Sequence, residues 1–323
     1  MRVTFYLPEK YLPDIALQDV WKSGTIRKLE ESGKVCCAQS WIYMTWIALT
    51  SAGHNCALSP DIPEDGILIA LSGFFSDSWR PPRGVFFADI VADYVPHPGA
   101  HLHIVQNSAH AARLPRSVFM PFWPHPNLVP RDPARGGTFQ SIAFVGDPGN
   151  LASELRSEEW AEALDKDLGL RLEIRRGDRW HDYSDVDCVL AIRDFTRSRQ
   201  LHKPGTKLYN AWLAGVPFIG GRDSAYAADG RCGIDHLKAA SPDEVLAHLR
   251  RLQDDPAFRN ALVENGRASG KKFTRDETLR RWERLVAETL PDRAGRLAAA
   301  SSTGKFFFEA TQRAITHLDR RLR

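Results

Sequence analysis

Residues 203–221 read Lys-Pro-Gly-Thr-Lys-Leu-Tyr-Asn-Ala-Trp-Leu-Ala-Gly-Val-Pro-Phe-Ile-Gly-Gly. The pattern predicts a turn, a short helix from about Thr206 to Ala214, a tight Gly-Val-Pro turn and then a buried strand. Thr206 is placed to cap the helix, and the first backbone N–H groups, flanked by Lys203 and Lys207, suit a phosphate. The alternative is an ordinary helix–strand unit of a doubly wound sheet without a ligand.

Strand and helix patterns alternate in two runs around this stretch. The first run predicts strands at residues 2–7, 54–59, 66–71, 101–106 and 117–121, and an apolar helix from residue 39 or 40 to Gly53. Residues 86–92 fit a helix or a strand, because periodicity does not distinguish the two in so short a run. The second run predicts strands at residues 142–146, 171–174 and 187–193 and a helix at residues 157–168.

A Pro-rich segment at residues 121–137 separates the two runs and has the composition of an interdomain linker. We therefore predict an α/β protein with two doubly wound, Rossmann-like domains, at residues 1–130 and 131–290, that face each other across a cleft. Residues 291–323 predict a basic amphipathic tail helix. Ligands of such sheets bind beyond the carboxyl ends of the strands, so the loops there are the candidate sites.

The composition is that of a soluble globular protein, with 43% hydrophobic and 26% charged residues. Lys and Arg number 43 against 40 Asp and Glu, and so small an excess does not point to nucleic acid as a partner. No signal peptide or membrane-spanning stretch is evident, and the five cysteines lack metal-ligand spacing. We expect a cytoplasmic protein with reduced thiols, with a peripheral position at the inner membrane surface as the alternative.

Part of the segment at residues 203–221 is similar to a segment of a known protein family. Residues 207–219 resemble the K-L-x-E-A-x-A-x-G-x-P-V-I segment in the nucleotide-sugar domain of GT-B glycosyltransferases. Residues 241–246, 254–259, 264–267 and 272–274 resemble the tail of the same family, in the same order. Many retaining members carry two Glu eight positions apart around this loop, where this sequence has His202 and Asn210. Ribose contact and anomeric outcome therefore stay open.

The resemblance implies a GT-B glycosyltransferase of the hexosyltransferase type, of the kind that serves polysaccharide biosynthesis. The donor is a nucleotide-diphosphate sugar, which is a co-substrate and not a resident cofactor. The acceptor is a glycan, a lipid-linked molecule or a small molecule. A sugar-nucleotide epimerase of the same architecture and a non-catalytic nucleotide-binding scaffold are the alternative functions, and the missing Glu pair favours the scaffold.

The predicted donor site lies in the second domain, around a loop that carries several basic residues before a helix start. The residues predicted to bind the donor diphosphate are Gly146, Arg193, Lys203, Thr206, Lys207 and Asn210. The alternative is a solvated basic loop. The resemblance places the nucleobase near Arg179 and Trp180. The residues predicted to contact the sugar are Asn107, Asp223 and Ser224, of which Asp223 or Ser224 could instead cap the next helix.

We expect the catalytic base, if the reaction uses one, in the first domain. Inverting transfer needs a carboxylate or imidazole near the acceptor hydroxyl, whereas retaining transfer in this fold is often drawn with the leaving phosphate taking that proton. The candidates by position are Glu9, Asp89 and His110, with Asp93 as an alternative to Asp89. Each also fits a surface or capping role.

Two patterns raise the question of a metal. Asp185-Val186-Asp187 spells D-x-D but precedes an apolar strand instead of ending one, so we interpret it as a turn at the start of a strand. His97, His101 and His103 lack a clear fourth ligand. We therefore predict a metal-independent enzyme. The tail helix, residues 305–323, either packs back across the domains or lies on an anionic membrane or partner, and packing is favoured.

Overall fold

The computed structural model describes residues 1–12 and 37–321, and Cys36 lies outside them. The chain forms two compact units. Unit 1 comprises Met1–Phe122, His202–Pro204 and Asp276–Arg323, and unit 2 comprises Trp123–Leu201 and Gly205–Arg275. Each unit is built on a parallel sheet with flanking helices, which confirms the predicted α/β class. The chain passes between the units after residues 122, 201, 204 and 275. The domain limits at residues 130 and 290 stay predictions.

Unit 1 holds a six-stranded parallel sheet in the order β2-β1-β3-β4-β5-β6. Its strands are β1 (Val3–Tyr6), β2 (Cys56–Ser59), β3 (Asp65–Leu71), β4 (Gly84–Ile90), β5 (Leu102–Val105) and β6 (Ser117–Phe119). The five predicted strands are confirmed, and the ambiguous residues 86–92 belong mainly to β4. This strand pairs with β3 along its whole length and is buried on both faces, which explains its continuous apolar run.

Unit 2 holds a five-stranded parallel sheet in the order β11-β10-β9-β7-β8. Its strands are β7 (Ser141–Val145), β8 (Arg171–Arg175), β9 (Cys188–Ala191), β10 (Phe218–Gly220) and β11 (Leu237–Lys238). The strands predicted at residues 142–146, 171–174 and 187–193 are confirmed. The strand predicted after the Gly-Val-Pro turn is also confirmed, and it is β10.

Helices cover both sheets. In chain order they begin with α1 (Met44–Ser51), α2 (Ser108–Ala111), α3 (Glu158–Leu168), α4 (Thr206–Ala214), α5 (Ser224–Asp229), α6 (Pro242–Asp254) and α7 (Pro256–Gly270). A π-helical turn, Gln39–Tyr43, precedes α1. Helix α7 approaches α4 closely, because a Cβ atom on Gly266 would lie only 2.6 Å from the Trp212 ring. The Trp212 indole in turn donates a hydrogen bond to the Asp235 carbonyl.

The last three helices return to unit 1. They are α8 (Arg275–Arg284), α9 (Leu290–Ala299) and α10 (Ser302–Arg321). Trp282 of α8 is fully buried, with its ring centroid 6.2 Å from that of Phe5. Helix α10 packs on unit 1 through buried Gln312, whose amide nitrogen donates to His103 and whose Oε1 accepts from Arg116 at 3.1 Å. Within the described residues, every helix is too short or too polar to cross a bilayer.

Candidate functional site

Three neighbouring strands of unit 2 end at the same edge of the sheet. Strands β7, β9 and β10 are parallel, so the residues that follow them come together at the carboxyl edge. Gly146 follows β7, Arg193 lies just beyond β9, and Asp223 lies just beyond β10. The first turn of α4 adds Lys207 to this group. The structure therefore gathers four of the predicted donor-site and sugar-site residues, which we call the donor cluster.

Arg193 is fixed within the donor cluster by two neighbours. Its Nε atom donates to Asp223 Oδ1 at 3.0 Å and its Nη1 atom donates to Asn150 Oδ1 at 2.8 Å. Burial raises the pKa of Asp223 above its ordinary value, although Arg193 and Lys207 oppose that effect. Two of the five guanidinium N–H groups are used in these bonds, so Arg193 keeps donors for a further anionic partner. Asn150 was not identified from the sequence.

Lys207 lies over the end of β7. Its Nζ atom is 5.2 Å from the centre of the Phe144 ring and 3.0 Å from the position that a Cβ atom on Gly146 would take. Gly146 has φ of 149°, a backbone conformation that residues with a side chain rarely adopt. The glycine therefore permits the turn after β7 and leaves space for the ammonium group.

The start of α4 differs from the prediction in one respect. The helix spans Thr206–Ala214 as predicted, but Gly205 is its N-cap, and Thr206 makes no side-chain capping bond. Gly205 packs against Tyr209, and a Cβ atom at position 205 would lie 2.5 Å from the Tyr209 hydroxyl oxygen, so this position requires glycine. Thr206 Oγ1 is buried without a hydrogen-bond partner in the described part of the chain. The amino end of α4 thus presents its first N–H groups beside Lys207.

Other predicted donor-site residues have different surroundings. Asn210 is buried, accepts a hydrogen bond from the His125 backbone N–H at 3.4 Å, and is also hydrogen-bonded to Tyr183. Ser224 is the first residue of α5, and its backbone N–H donates to the Arg199 carbonyl at 2.8 Å. The ribose and sugar contacts of these two residues stay predictions.

The predicted nucleobase residues follow β8, which neighbours β7 in the sheet. Arg179 forms ion pairs with three acidic residues, of which Glu173 is the nearest. Trp180 leaves 40% of its surface exposed. An exposed indole at this edge suits stacking on a flat ring, and the nucleobase assignment stays a prediction.

Lys203 falls in unit 1, whereas the donor cluster belongs to unit 2, and the donor contact of Lys203 stays a prediction. Its Nζ atom lies 3.2 Å from Asp93 Oδ1, and its carbonyl accepts a hydrogen bond from Asn107 Nδ2 at 2.9 Å. Gln106 Nε2 donates to the His202 carbonyl at 2.8 Å. The segment His202–Pro204 is thus held at the carboxyl end of β5. Asn107 Oδ1 also caps α2, and the sugar contact of Asn107 stays a prediction.

The three candidate bases lie in different environments. Asp89 is fully buried in β4, where Oδ2 accepts from the His97 backbone N–H at 2.7 Å and Oδ1 is 2.6 Å from His103 Nδ1. His110 is buried, and its Nε2 atom lies 2.7 Å from Asp319 Oδ1. Glu9 is exposed in a 3₁₀ turn shortly after β1. The structure does not bring the three together, and their catalytic roles stay predictions.

Asp187 has a structural role at the start of β9. It accepts hydrogen bonds from Arg131, Arg135 and the backbone N–H groups of Gln140 and Ser141. Burial opposes its ionisation, but these bonds outweigh that effect and hold the pKa of Asp187 below its ordinary value. The interpretation of Asp185-Val186-Asp187 as the start of a strand is confirmed. Within the residues that the structure describes, no group of three His, Cys, Asp or Glu side chains is arranged to hold a metal ion.

Comparisons with known proteins agree with this architecture. Neither protein-family models nor the sequences of curated proteins give a match. Among solved structures, Anabaena HepE in complex with UDP-glucose is similar over 89% of this chain and 99% of its own, with 11% identity and a TM-score of 0.53. The pneumococcal O-GlcNAc transferase GtfA in complex with UDP and GlcNAc matches 77% of this chain and 60% of its own, with 13% identity and a TM-score of 0.52.

Sucrose-phosphate synthase from Thermosynechococcus elongatus is similar over 70% of this chain and 74% of its own, with 13% identity and a TM-score of 0.51. The protein has the GT-B fold. At these sequence identities the likeness shows the fold alone. The function of the donor cluster therefore depends on the chemistry of its own residues. In this GT-B chain a lysine, an arginine and the amino end of a helix meet at the carboxyl edge of the sheet, an arrangement suited to phosphate groups.

Proposed function

We propose that the protein is a glycosyltransferase that binds a nucleotide-diphosphate sugar at the donor cluster and transfers the sugar to a glycan, lipid-linked or small-molecule acceptor. The observation that carries the proposal is the position of Lys207, at the first turn of α4 and over the end of β7. The GT-B fold supports it, as do HepE and GtfA, which have this fold and were solved with UDP or UDP-glucose.

In sugar transfer, the donor site must stabilise the leaving group. When the bond between the sugar and the diphosphate breaks, negative charge develops on the departing phosphate oxygens. The Lys207 ammonium, the remaining Arg193 donors and the first N–H groups of α4 all supply positive charge at this position. Because these groups are already fixed by the fold, they need little rearrangement when the charge develops.

The finer features of the proposal follow the sequence analysis. We propose transfer of a hexosyl group without a metal, because the donor cluster supplies its own positive charges. Of Glu9, Asp89 and His110, Glu9 is the exposed one and follows a strand end of unit 1, so we retain it as the proposed base for an inverting reaction. In a retaining reaction the leaving phosphate takes the acceptor proton instead.

The test is a calorimetric and thermal-shift titration with UDP, GDP, ADP, CMP and TDP. A ligand that binds only the folded state raises the melting temperature with the logarithm of its concentration over its Kd. We expect one nucleotide to stabilise the wild type and Lys207→Ala to weaken its binding at least about tenfold, because a charge-assisted hydrogen bond is lost. Lys166→Ala, a change in α3 of the same unit, is the matched control and should bind as the wild type does.

The proposal fails if none of the nucleotides binds, or if Lys207→Ala and Lys166→Ala bind equally. Once a base is identified, the matching sugar nucleotides are supplied with a panel of acceptors, and release of the nucleotide diphosphate is measured. Activity that depends on both donor and acceptor supports transfer.

A second candidate is a nucleotide-binding scaffold without turnover. Asn210 occupies the position where many retaining relatives of the resembled family carry Glu, and its carboxamide is bonded to the His125 backbone and to Tyr183. Nucleotide binding that is sensitive to Lys207→Ala, together with no turnover for any acceptor or for hydrolysis, would favour the scaffold over the enzyme.

A further inference from the structure

A second cluster of positive charge lies in unit 1, at the amino ends of β4, β5 and β6. It surrounds a pocket of about 170 Å³, which we call the arginine pocket. Its lining residues are Phe86, His101, Leu102, Arg116, Arg293, Arg296, Leu297, Ala300, Gly304 and Phe308. Because the strands are parallel, this pocket is at the opposite edge of the sheet from Gln106 and Asn107, which follow β5. It is therefore separate from the strand ends where ligands of such sheets usually bind.

Arg116 is held in place at the pocket wall. Its guanidinium carbon lies 3.6 Å from the centre of the Phe308 ring, and Nη1 donates to the Phe308 carbonyl at 2.9 Å and to Gln312. The backbone of Arg116 has φ of 57°, in the left-handed region that residues with a side chain seldom occupy. Strain of this kind persists where the surrounding contacts enforce it, and it often marks a functional position.

Two of the three arginines that line this pocket have no carboxylate partner in the described part of the chain. Neither Arg116 nor Arg293 has an acidic partner within residues 1–12 and 37–321, and each adds to the repulsion felt by the other. Burial lowers the pKa of Arg116, and the positive charge of Arg293 lowers it further. Arg296 differs, since its Nε donates to Asp292 at 3.0 Å. Two guanidinium groups that line one pocket, without a carboxylate between them, attract an anion to that pocket.

His101 adds a neutral hydrogen-bond donor. Burial, reinforced by Arg116, lowers the pKa of His101 to about 4, so the ring is uncharged at neutral pH. Its Nδ1 atom accepts the Phe87 backbone N–H at 2.8 Å, which assigns the ring proton to Nε2. Leu102, Leu297 and the rings of Phe86 and Phe308 also line the pocket. The pocket is thus lined by cationic, hydrogen-bonding and apolar side chains.

We propose that the arginine pocket binds a phosphate monoester that carries an apolar group. Two uncompensated guanidinium charges match the charge of about −2 on a phosphate monoester at neutral pH better than the single charge of a carboxylate. The apolar lining residues Leu102 and Leu297 accommodate the organic part of the ester. The ester is either a soluble metabolite or the phosphomonoester headgroup of a lipid. This proposal does not rest on the glycosyltransferase assignment.

The experiment is a calorimetric titration with phenyl phosphate, inorganic phosphate and benzoate. It is done on Lys207→Ala, so that the donor cluster does not contribute. We expect phenyl phosphate to bind several-fold more tightly than either of the other two, because only it carries both a phosphate and an apolar ring. The further substitution Arg293→Ala should weaken the binding of phenyl phosphate at least about tenfold. Arg293 is exposed on α9, so its loss should leave the fold intact, which a thermal unfolding curve checks.

Arg113→Ala is the matched control, because Arg113 is an exposed arginine of unit 1 that does not line the pocket. Vesicles of phosphatidylcholine with and without phosphatidic acid separate the two sources of the ligand. Pocket-dependent binding to phosphatidic acid, displaced by phenyl phosphate, identifies a lipid headgroup. Binding of phenyl phosphate without vesicle binding identifies a soluble ester. The proposal is overturned if phenyl phosphate does not bind at millimolar concentration, or if Arg293→Ala and Arg113→Ala behave alike.

Discussion

The Nζ atom of Lys207 lies 3.0 Å from the position that a Cβ atom on Gly146 would occupy. The two residues are far apart in sequence, yet the missing side chain of one leaves space for the charged end of the other. Phe144, two residues before the glycine, supplies the ring over which the ammonium group lies. The loop after β7 and the first turn of α4 therefore form one charged surface.

Replacing Gly146 with Ala should disturb this surface. The backbone conformation at Gly146 is unfavourable for alanine and should cost about 1–3 kcal/mol in the free energy of unfolding. The added Cβ also displaces the Lys207 ammonium, so the affinity for the donor nucleotide should fall about tenfold or more. Urea denaturation and nucleotide calorimetry measure the two effects. Gly137→Ala is the control, because its Cβ would meet open space at an ordinary φ. Unchanged nucleotide affinity in Gly146→Ala would contradict the assigned position of Lys207.

Asp187 should be a stability residue and not a catalytic one. Removing a buried carboxylate that is paired with Arg131 and Arg135 leaves two guanidinium groups and two backbone N–H groups without their acceptor. We expect Asp187→Ala to lower the free energy of unfolding by about 3–5 kcal/mol. Asp165→Ala, which removes an exposed carboxylate 3.8 Å from Arg171, should change it by less than about 1 kcal/mol. Equal effects of the two changes in urea denaturation would refute this role.

The same carboxylate should contribute to acid sensitivity. The pKa of Asp187 in the folded protein lies below its ordinary value of 3.8. Its contribution to the free energy of unfolding is therefore fully present above pH 3.8 and is lost as the pH falls through the folded pKa. Urea denaturation over a series of pH values should show that the difference in stability between wild type and Asp187→Asn shrinks in this acidic range. A difference that grows on acidification would contradict the sign of the shift.

Gln312 should anchor the last helix to unit 1. Its amide donates to His103 and its carbonyl oxygen accepts from Arg116, and both bonds are buried or partly buried. Gln312→Ala should lower the free energy of unfolding by about 1–3 kcal/mol, because both partners lose a hydrogen bond inside the protein. Glu309 is at an exposed position of the same helix, so the free energy of unfolding of Glu309→Ala should stay within about 0.5 kcal/mol of the wild-type value. Denaturant unfolding of the two variants decides whether α10 is held by this contact.

Two helical glycines should respond oppositely to alanine. A Cβ atom on Gly266 would lie 2.6 Å from the ring of Trp212, which is fully buried and hydrogen-bonded to the Asp235 carbonyl. Because that ring has little room to move, Gly266→Ala should cost about 1–3 kcal/mol in the free energy of unfolding. Gly295 in α9 would place its Cβ in open space, so Gly295→Ala should stabilise the protein by up to about 1 kcal/mol. Thermal or urea unfolding that ranks the two in the other order would contradict the close packing of α4 and α7.

Local patterns in the sequence were sufficient for most of the strands and for α4. Apolar runs and periodicity report burial along a short segment, and the Gly-Val-Pro turn separates α4 from β10 by turn chemistry alone. The sequence left β4 ambiguous, because a strand buried on both faces lacks the alternation that distinguishes it from a helix. The predicted N-cap, Thr206, was wrong by one residue: the N-cap is Gly205, whose close contact with Tyr209 is a tertiary feature without a local sequence signal.

By itself, the sequence determined the α/β class, the two parallel sheets and the basic loop that leads to Lys207. Only the tertiary structure decided which side chains meet there. Arg193 bonds to Asn150 and Asp223, which are 43 and 30 residues away along the chain. Such contacts depend on strand order and on loop closure, and neither leaves a periodic signal in one sequence. For the same reason only the structure showed that Lys203 belongs to unit 1 and that the arginine pocket exists.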